Sequence, residues 1–310
     1  MRVLERVILL SGLLAAAAGC QLRTPPPTPT PAVLSLSISG GAQPLMERLV
    51  AGFRAEYPSV VVLVETGSAA AQVQAVREGR AALGALALPL GDDPPGPAAG
   101  LWRAPIAVDE IAVVVNVENP IRDLTMYQLK EVFGGRIWHW SDLEADLSED
   151  EIAVASREEG SSARALFESV VMARGRVLPG FCPAAVALGG EPDLLAACTV
   201  DPVTSTAVIM IGDEAVVAYV AAHPGAIGYV SAGALALSAS ADQVRAVALE
   251  GALPDPQHAA EGRYPLTQPL YLVASGAPAG PGRLLVDYCL GREGQSIAAA
   301  HYAPVRPSTR

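Results

Sequence analysis

The sequence predicts an α/β chain of two lobes, each a mostly parallel sheet flanked by helices. Three observations carry this. The 310 residues exceed what one hydrophobic core usually serves. Apolar residues make up 51% and aromatics only 5%, so small and branched aliphatic side chains must fill the core, as they do in layered α/β sheets. Strand, loop and helix patterns also recur in that order along the chain, the rhythm of parallel strands joined by crossover helices.

The elements follow in sequence. Residues 33–39 (VLSLSIS) alternate apolar and polar, as a strand does, and Gly40-Gly41 break the run. Pro44 suits a helix start, and Leu45, Leu49, Val50 and Phe53 share one face of a helix over 45–56. A buried-type strand over 59–64 precedes Gly67-Ser68 and a helix over 69–78 ending at Gly79. Residues 81–88 read as a strand, 92–100 as a loop, and 104–116 as a long apolar strand. Thr125 is positioned to cap a helix over 125–133, which Gly134-Gly135 end. A strand over 151–156 leads through Arg157–Ser162 into a helix over 162–173. A helix over 213–222 stops at His223-Pro224-Gly225, and a strand over 226–230 follows. The last elements are a strand over 269–274 and a helix over 281–300 with Gly291 inside it. No repeat of solenoid length is present.

The N-terminus reads as an export segment. Arg2 and Arg6 precede an apolar run over 7–18 that is short for a membrane span. Small residues then lead to Gly19-Cys20, a pattern that resembles a bacterial lipoprotein signal with Cys20 lipidated. An ordinary secretory signal with a chance cysteine is the alternative. Acyl chains would hold the protein to the outer face of the membrane, at about 0.8 kcal/mol per buried CH₂. Residues 21–32 (QLRTPPPTPTPA) carry five prolines and read as an extended tether, with a Pro-rich ligand for a partner as the second option. Cys182 and Cys198 flank a loop-like stretch and are the candidate disulfide pair, which an exported compartment permits. Cys289, in an apolar helical run, reads as a buried free thiol. No Cys/His spacing resembles a metal site, and no cofactor is expected.

The net charge of −11 argues against nucleic acid, whose affinity rests on Lys and Arg neutralising phosphates. A small anion is another matter, because a few local donors can hold it. Three strand-to-helix junctions are rich in small or hydroxyl residues: Ser39-Gly40-Gly41-Ala42, Gly67-Ser68-Ala69 and Gly160-Ser161-Ser162. Ligands of open α/β sheets bind at such junctions, where helix N-termini offer unpaired N–H groups and a partial positive charge. Ser before a helix is commonly just a cap; here three such junctions occur, and Arg157 stands beside one with a charge-assisted bond to offer. The four histidines are scattered, and no Ser lies in a G-x-S-x-G frame, so an enzyme is not expected. His139, between Trp138 and Trp140, reads as a packed or surface side chain. Asp109-Glu110 is a poor acid/base dyad, since neighbours on a strand face opposite ways. The acidic run Ser148-Glu149-Asp150-Glu151 reads as a solvated loop, with a cation site as the lesser option.

Several segments together resemble one family. They are Ile106–Asn116 (IAVDEIAVVVN), Asn119-Pro120, Leu124–Ile137 (LTMYQLKEVFGGRI) with Trp140-Ser141-Asp142-Leu143, Arg157–Arg164 (REEGSSAR) with Phe167, and His223–Val230 (HPGAIGYV). Tyr264-Pro265-Leu266, Pro269-Leu270-Tyr271 and Gly291–Gln295 continue the series. In this order, over about residues 34–306, they resemble phosphate ABC transporter substrate-binding proteins. The resemblance implies a two-lobed type 2 periplasmic-binding-protein fold with the ligand cleft between lobes. One lobe would use 33–108 plus 232–310 and the other 109–231, after a signal segment over 1–20 and the tether over 21–32. It implies a monomer that binds inorganic phosphate or a similar oxyanion through backbone N–H groups, Ser hydroxyls and Arg157, and delivers it to an ABC permease. Gly40, Gly41, Ala42, Ser68, Arg157, Ser161 and Ser162 are the implied contacts.

The chain departs from that pattern in three places. Gly40 and Gly41 stand where the family has Ser or Thr, Ala87-Leu88-Pro89 where it has a donor or acceptor pair, and Ala163 where it has Thr. Each lost hydrogen bond to a charged ligand costs roughly 1.5–3 kcal/mol, and about 1.4 kcal/mol is tenfold in affinity. The departures therefore imply weaker phosphate binding or another ligand. The alternative function is a sensor or interaction lipoprotein that keeps the fold with a reduced site.

Overall fold

The computed structural model describes residues 32–87, 98, 100–144, 147, 149–173 and 202–305. The expected lipidation site Cys20, the expected tether over 21–31, the candidate disulfide pair Cys182 and Cys198, and Leu88-Pro89 lie outside the described residues.

Strand β1 (Ala32–Ser39) alternates as expected: Leu34, Leu36 and Ile38 enter a first core, while Ser35 and Ser37 face the other way. Helix α1 (Gln43–Glu56) has Pro44 in its first turn and buries Leu45, Leu49, Val50 and Phe53, the expected face, plus Met46. Strand β2 (Val60–Gly67), helix α2 (Ala69–Arg77) and strand β3 (Leu83–Ala87) complete the first group. Strand β4 (Trp102–Asn116) is the longest. After β5 (Asp123–Leu124), the Thr125 cap of helix α3 (Met126–Phe133) closes reciprocally with Gln128. Strand β6 (Ala153–Arg157) leads into α4 (Ser162–Phe167), which continues as a π turn over Glu168–Met172, so the helix expected over 162–173 is two pieces. Strand β7 (Val208–Met210), helix α5 (Asp213–Ala222), strand β8 (Ala226–Ser231) and the short helix α6 (Ala232–Leu235) follow. Next come β9 (Val244–Ala246), β10 (Ala248–Leu249), α7 (Pro256–Ala260) and β11 (Thr267–Ala274). The helix expected over 281–300 breaks at Gly291 into α8 (Gly280–Leu290) and α9 (Arg292–Ala298) before β12 (Ala303–Pro304). Gly291 is extended (ψ 177), and a Cβ there would lie 2.9 Å from the Asp287 carbonyl, so the chain turns where only glycine fits.

The main sheet runs β2-β1-β3-β11-β4-β8-β6-β7, with β9 and β12 also paired to β4. Strands β1, β2 and β3 are mutually parallel, as are β6, β7 and β8. Strand β4 joins the two parallel groups. Its first part, Trp102–Glu110, pairs antiparallel with β11, and its second, Ile111–Val115, pairs antiparallel with β8. This is the expected fold class: two parallel α/β layers sharing a crossing strand.

Each layer has its own core. The first takes side chains from β1, α1, β3, β11, α8 and α9. On the other side of the crossing point, Ile111, Val113 and Val115 face a core with α3 and α4, while Ala112 and Val114 face α5. Burial on both faces explains the unbroken apolar run in β4. The stretch 244–266, grouped from sequence with the first lobe, packs Val244, Val247, Leu249, Tyr264 and Leu266 into these second cores instead. It returns along β4 through β9, so it follows the half of β4 it pairs with. Cys289 is a buried free thiol, and its burial pushes the pKa up to about 12. No helix among the described residues is long and apolar enough to cross a membrane.

Candidate functional site

All three junctions meet at one cavity of about 220 Å³, lined among others by Gly40, Gly41, Gly67, Ser68, Arg157 and Gly160–Ser162. That is smaller than the roughly 300–1,000 Å³ of typical organic-ligand sites, so the occupant must be small. Of the residues expected here from sequence, Ala42 alone is displaced: its side chain is fully buried in the first core behind the cavity.

Each junction is held by its own local bonds. Ser39 ends β1, and its hydroxyl accepts the Ala87 N–H at 3.3 Å, tying the first junction to the end of β3. Ser68 caps α2 by accepting from the Ala71 N–H at 3.3 Å. Ser161 caps α4 in the same way, from the Arg164 N–H at 3.3 Å. A capping hydroxyl accepts in the cap and keeps its own proton to donate elsewhere. Gly160 has φ +84, a left-handed conformation that favours glycine, and a Cβ on it would come within 3.8 Å of Ser68 Cβ.

The first departure from the family pattern has a structural reason. A side chain at Gly41 would collide with Ser162 Oγ and reach Gln268 Nε2 at 3.3 Å. The Ser162 hydroxyl, which accepts from Gln268 Nε2 at 3.3 Å, therefore stands where a side chain at 41 would go. The donor missing from one wall is supplied by the opposite one. Gly40 has nothing within 4 Å of its Cβ position and leaves open space.

Arg157 is 6% exposed and already paired. Its Nε donates to Glu158 Oε2 at 2.9 Å, its Nη2 to Glu158 Oε1 at 3.1 Å, and its Nη1 to Asp213 Oδ1. Asp213 opens α5 and also accepts the Ser231 N–H at 3.2 Å. Burial raises the Asp213 pKa against the pull of Arg157, which works to lower it. Burial is the largest influence on Glu158 too, but the hydrogen bonds and charge of Arg157, together with backbone N–H groups that include that of Gly212, outweigh it and the pKa is lowered. The cavity thus combines one guanidinium, several hydroxyl and backbone donors, and three carboxylates, those of Glu158, Glu159 and Asp213. Asp213, Gln268 and Ser231 line it too and were not singled out from sequence. The one available signal was an acid in the first turn of the 213–222 helix, which ordinarily only complements the helix dipole.

The other candidates lie elsewhere. His139 sits beside Asp142, His223 stacks on Tyr219 and His258 pairs with Asp255; none lines the cavity. Asp109 and Glu110 are both buried and face different groups, Asp109 toward Gly233 and Glu110 toward Tyr264 and Asp255.

Residues 25–293 match a family model described as PBP superfamily domain. The chain is 25% identical over 275 residues to the phosphate-binding protein PstS of Bacillus subtilis, covering 87% of this chain and 81% of that one. Among solved structures, it is similar to one from Clostridium perfringens, assigned as a phosphate ABC transporter substrate-binding protein and holding bound phosphate. That match has a TM-score of 0.70 and 26% identity, and covers 88% of this chain and all of the other. An ABC-type phosphate transport receptor from Vibrio cholerae superposes with a TM-score of 0.65 at 21% identity, over 88% and 99% of the two chains, and shares the fold.

Proposed function

The chain belongs to the PBP superfamily, and from that premise we propose that it is the extracytoplasmic binding component of an ABC uptake system, with phosphate as its ligand. The observation that carries this is the convergence of the three junctions and Arg157 on one small cavity. Two relatives named for phosphate, one of them holding it, support the choice of anion. Gly40, Gly41, Ser68, Ser161 and Ser162 would supply backbone and hydroxyl donors, and Arg157 the charge. The lobes would be built on 33–108 with the C-terminal strands and helices from about 267, and on 109–266, closing about β4. Lipidation at Cys20 would keep the protein beside its permease.

The carboxylates refine the ligand. Phosphate carries one or two protons at neutral pH, and a protonated oxygen needs an acceptor. Asp213 and Glu158 would offer it on the wall that carries Arg157. A fully ionised oxyanion such as sulfate has no proton to offer those acceptors and would meet their repulsion beside the pull of Arg157.

Isothermal titration of the purified full chain with phosphate, and with sulfate for comparison, tests the reading. Phosphate is expected to bind with Kd in the micromolar range or tighter and sulfate far more weakly. A folded sample that gives no heat with phosphate at any pH would sink it.

A further inference from the structure

Asp109 stands at residue 109 of β4, next to the point where that strand passes from pairing with β11 to pairing with β8. It is fully buried. Its Oδ1 accepts one bond, from the Gly233 N–H at 3.3 Å, and its Oδ2 is buried with no hydrogen-bond partner among the described residues. An ionised carboxylate can accept about four bonds, so one long bond compensates its charge poorly.

Asp109 is also connected to the cavity. Gly233 and Ser231 belong to the same turn, where Ser231 caps α6. The Ser231 side chain lies beside Asp109 and favours its charged form, while the Ser231 N–H donates to Asp213, which holds Arg157. The groups facing Asp109 are few. Asp213 approaches from α5 and opposes its ionisation, as does burial. Tyr302, from the turn before β12, brings a buried hydroxyl that has no close hydrogen bond among the described residues and lies beside the Ser231 side chain, and Arg48 of α1 lies near that ring. Gln268 is opposite Asp109 on β11. Glu110 is its strand neighbour and points the other way, toward Tyr264 and the Asp255–His258 pair.

Consider the charge balance when an anion enters. Arg157 is already matched by Glu158 and Asp213. A further negative charge raises the cost of every nearby ionised acid, and like charges favour the protonated form. Asp109 and Glu110 are both buried acids with little to lose by taking a proton, Glu110 having no partner on either oxygen among the described residues and Asp109 one long bond; of the two, only Asp109 is joined to the cavity, through Ser231 and Asp213. Burial already raises its pKa to about 7 before any ligand arrives, within reach of such a change. We propose that Asp109 is a positioning residue of the anion site that takes up a proton when the anion binds, acting through Ser231 and Asp213 on Arg157. By linkage, protons then tighten the anion and the anion tightens the proton by the same factor.

The inference rests on the proposed anion site, and the test separates the two. Phosphate affinity is measured by titration calorimetry from pH 5.5 to 8.5 for the full chain, its Asp109→Asn variant and its Glu110→Gln variant. Phosphate's own ionisation is common to all three, so differences between profiles isolate the protein. The unmodified chain should lose affinity with rising pH more steeply than Asp109→Asn, by up to about tenfold per pH unit for one linked proton. Glu110→Gln should follow the unmodified chain. A profile for Asp109→Asn that is merely shifted, parallel to the original, would show a structural role and overturn the inference while leaving the anion site standing. No phosphate binding by the unmodified chain at any pH would remove the site and the inference together. Should Asp109→Asn not fold, the Asp109 carboxyl carbon is titrated by NMR in the unmodified chain. Its midpoint should rise on adding phosphate, and an unmoved midpoint is equally fatal.

Discussion

The two walls of the cavity are built on different principles. The wall from β1 and β2 (Ser39–Gly41, Gly67–Ala69) contains no ionisable side chain. The wall from β6, α5 and β8 contains Arg157, Glu158, Glu159 and Asp213. The charged groups bond to one another within their own wall, at Arg157–Glu158 and Arg157–Asp213. They need nothing from across the cleft to stay in place. The uncharged wall contributes close approach and donors, and it makes room for Ser162 by having no side chain at Gly41. For the proposed anion this would be a division of labour: one wall would fix electrostatics before the anion arrives, and the other would count hydrogen bonds.

The sharpest way to break this division is Arg157→Ala. Two or more charge-assisted bonds to the anion would go, weakening phosphate roughly 100-fold or more. The change also strands Asp213, whose carboxyl would stay buried without its cation. Removing one partner of a buried pair costs about 3–5 kcal/mol, so the denaturation midpoint should drop as well. A variant that loses affinity at full stability would show that the pairing within the wall is not structural.

Next in size is a pH effect on folding that belongs to neither wall but to the strand between them. Burial raises the Asp109 pKa to about 7 and the Glu110 pKa to about 8. In the unfolded chain both return to the ordinary range near 4. Between those values the folded chain holds protons that the unfolded chain has released, so stability falls as pH rises from about 4 to 8 and then levels off. Denaturant melts at pH 5 and pH 8 should differ by a few kcal/mol, and Asp109→Asn should remove part of the difference. Equal stability at the two pH values would mean that these carboxyls find partners on ionising.

How much of this was legible in the sequence depended on how local the cause is. The junction glycines and serines and Arg157 were readable because a strand's period, a breaker and a cap are all short-range signals. The face of α1 was readable from apolar spacing. Asp213 was not, because its role comes from α5 returning beside β6, and nothing within ten residues of it refers to Arg157. Gln268 was hidden for the same reason, on β11 across the cleft from Ser162. The break at Gly291 was visible only as a glycine in an apolar run; its cause is the nearby Asp287 carbonyl. The packing of 244–266 with the second cores follows from the β9–β4 pairing, a contact more than a hundred residues apart in sequence.

The uncharged wall offers two finer tests at adjacent glycines. Gly41→Val drives a branched side chain into Ser162 and Gln268, and into contact with Ala87. It should weaken phosphate by about tenfold and cost about 1–3 kcal/mol in stability, the usual range for overpacking. Gly40→Ser works in the opposite direction. The Cβ position at Gly40 meets nothing within 4 Å, and Gly40 is absent from the left-handed residues, so a serine fits without collision or backbone strain. Its hydroxyl would restore the donor that the family places at this junction. A hydrogen bond to a charged group is worth roughly 1.5–3 kcal/mol before ordering costs, and fixing one short side chain takes back part of it. The expected gain is therefore about threefold to tenfold in phosphate affinity, read by the same titration. If the wall does count hydrogen bonds, this substitution tightens binding without moving its pH dependence. An unchanged Kd would mean the donor count on this side is already saturated by backbone N–H groups, and that Gly40 costs the site nothing.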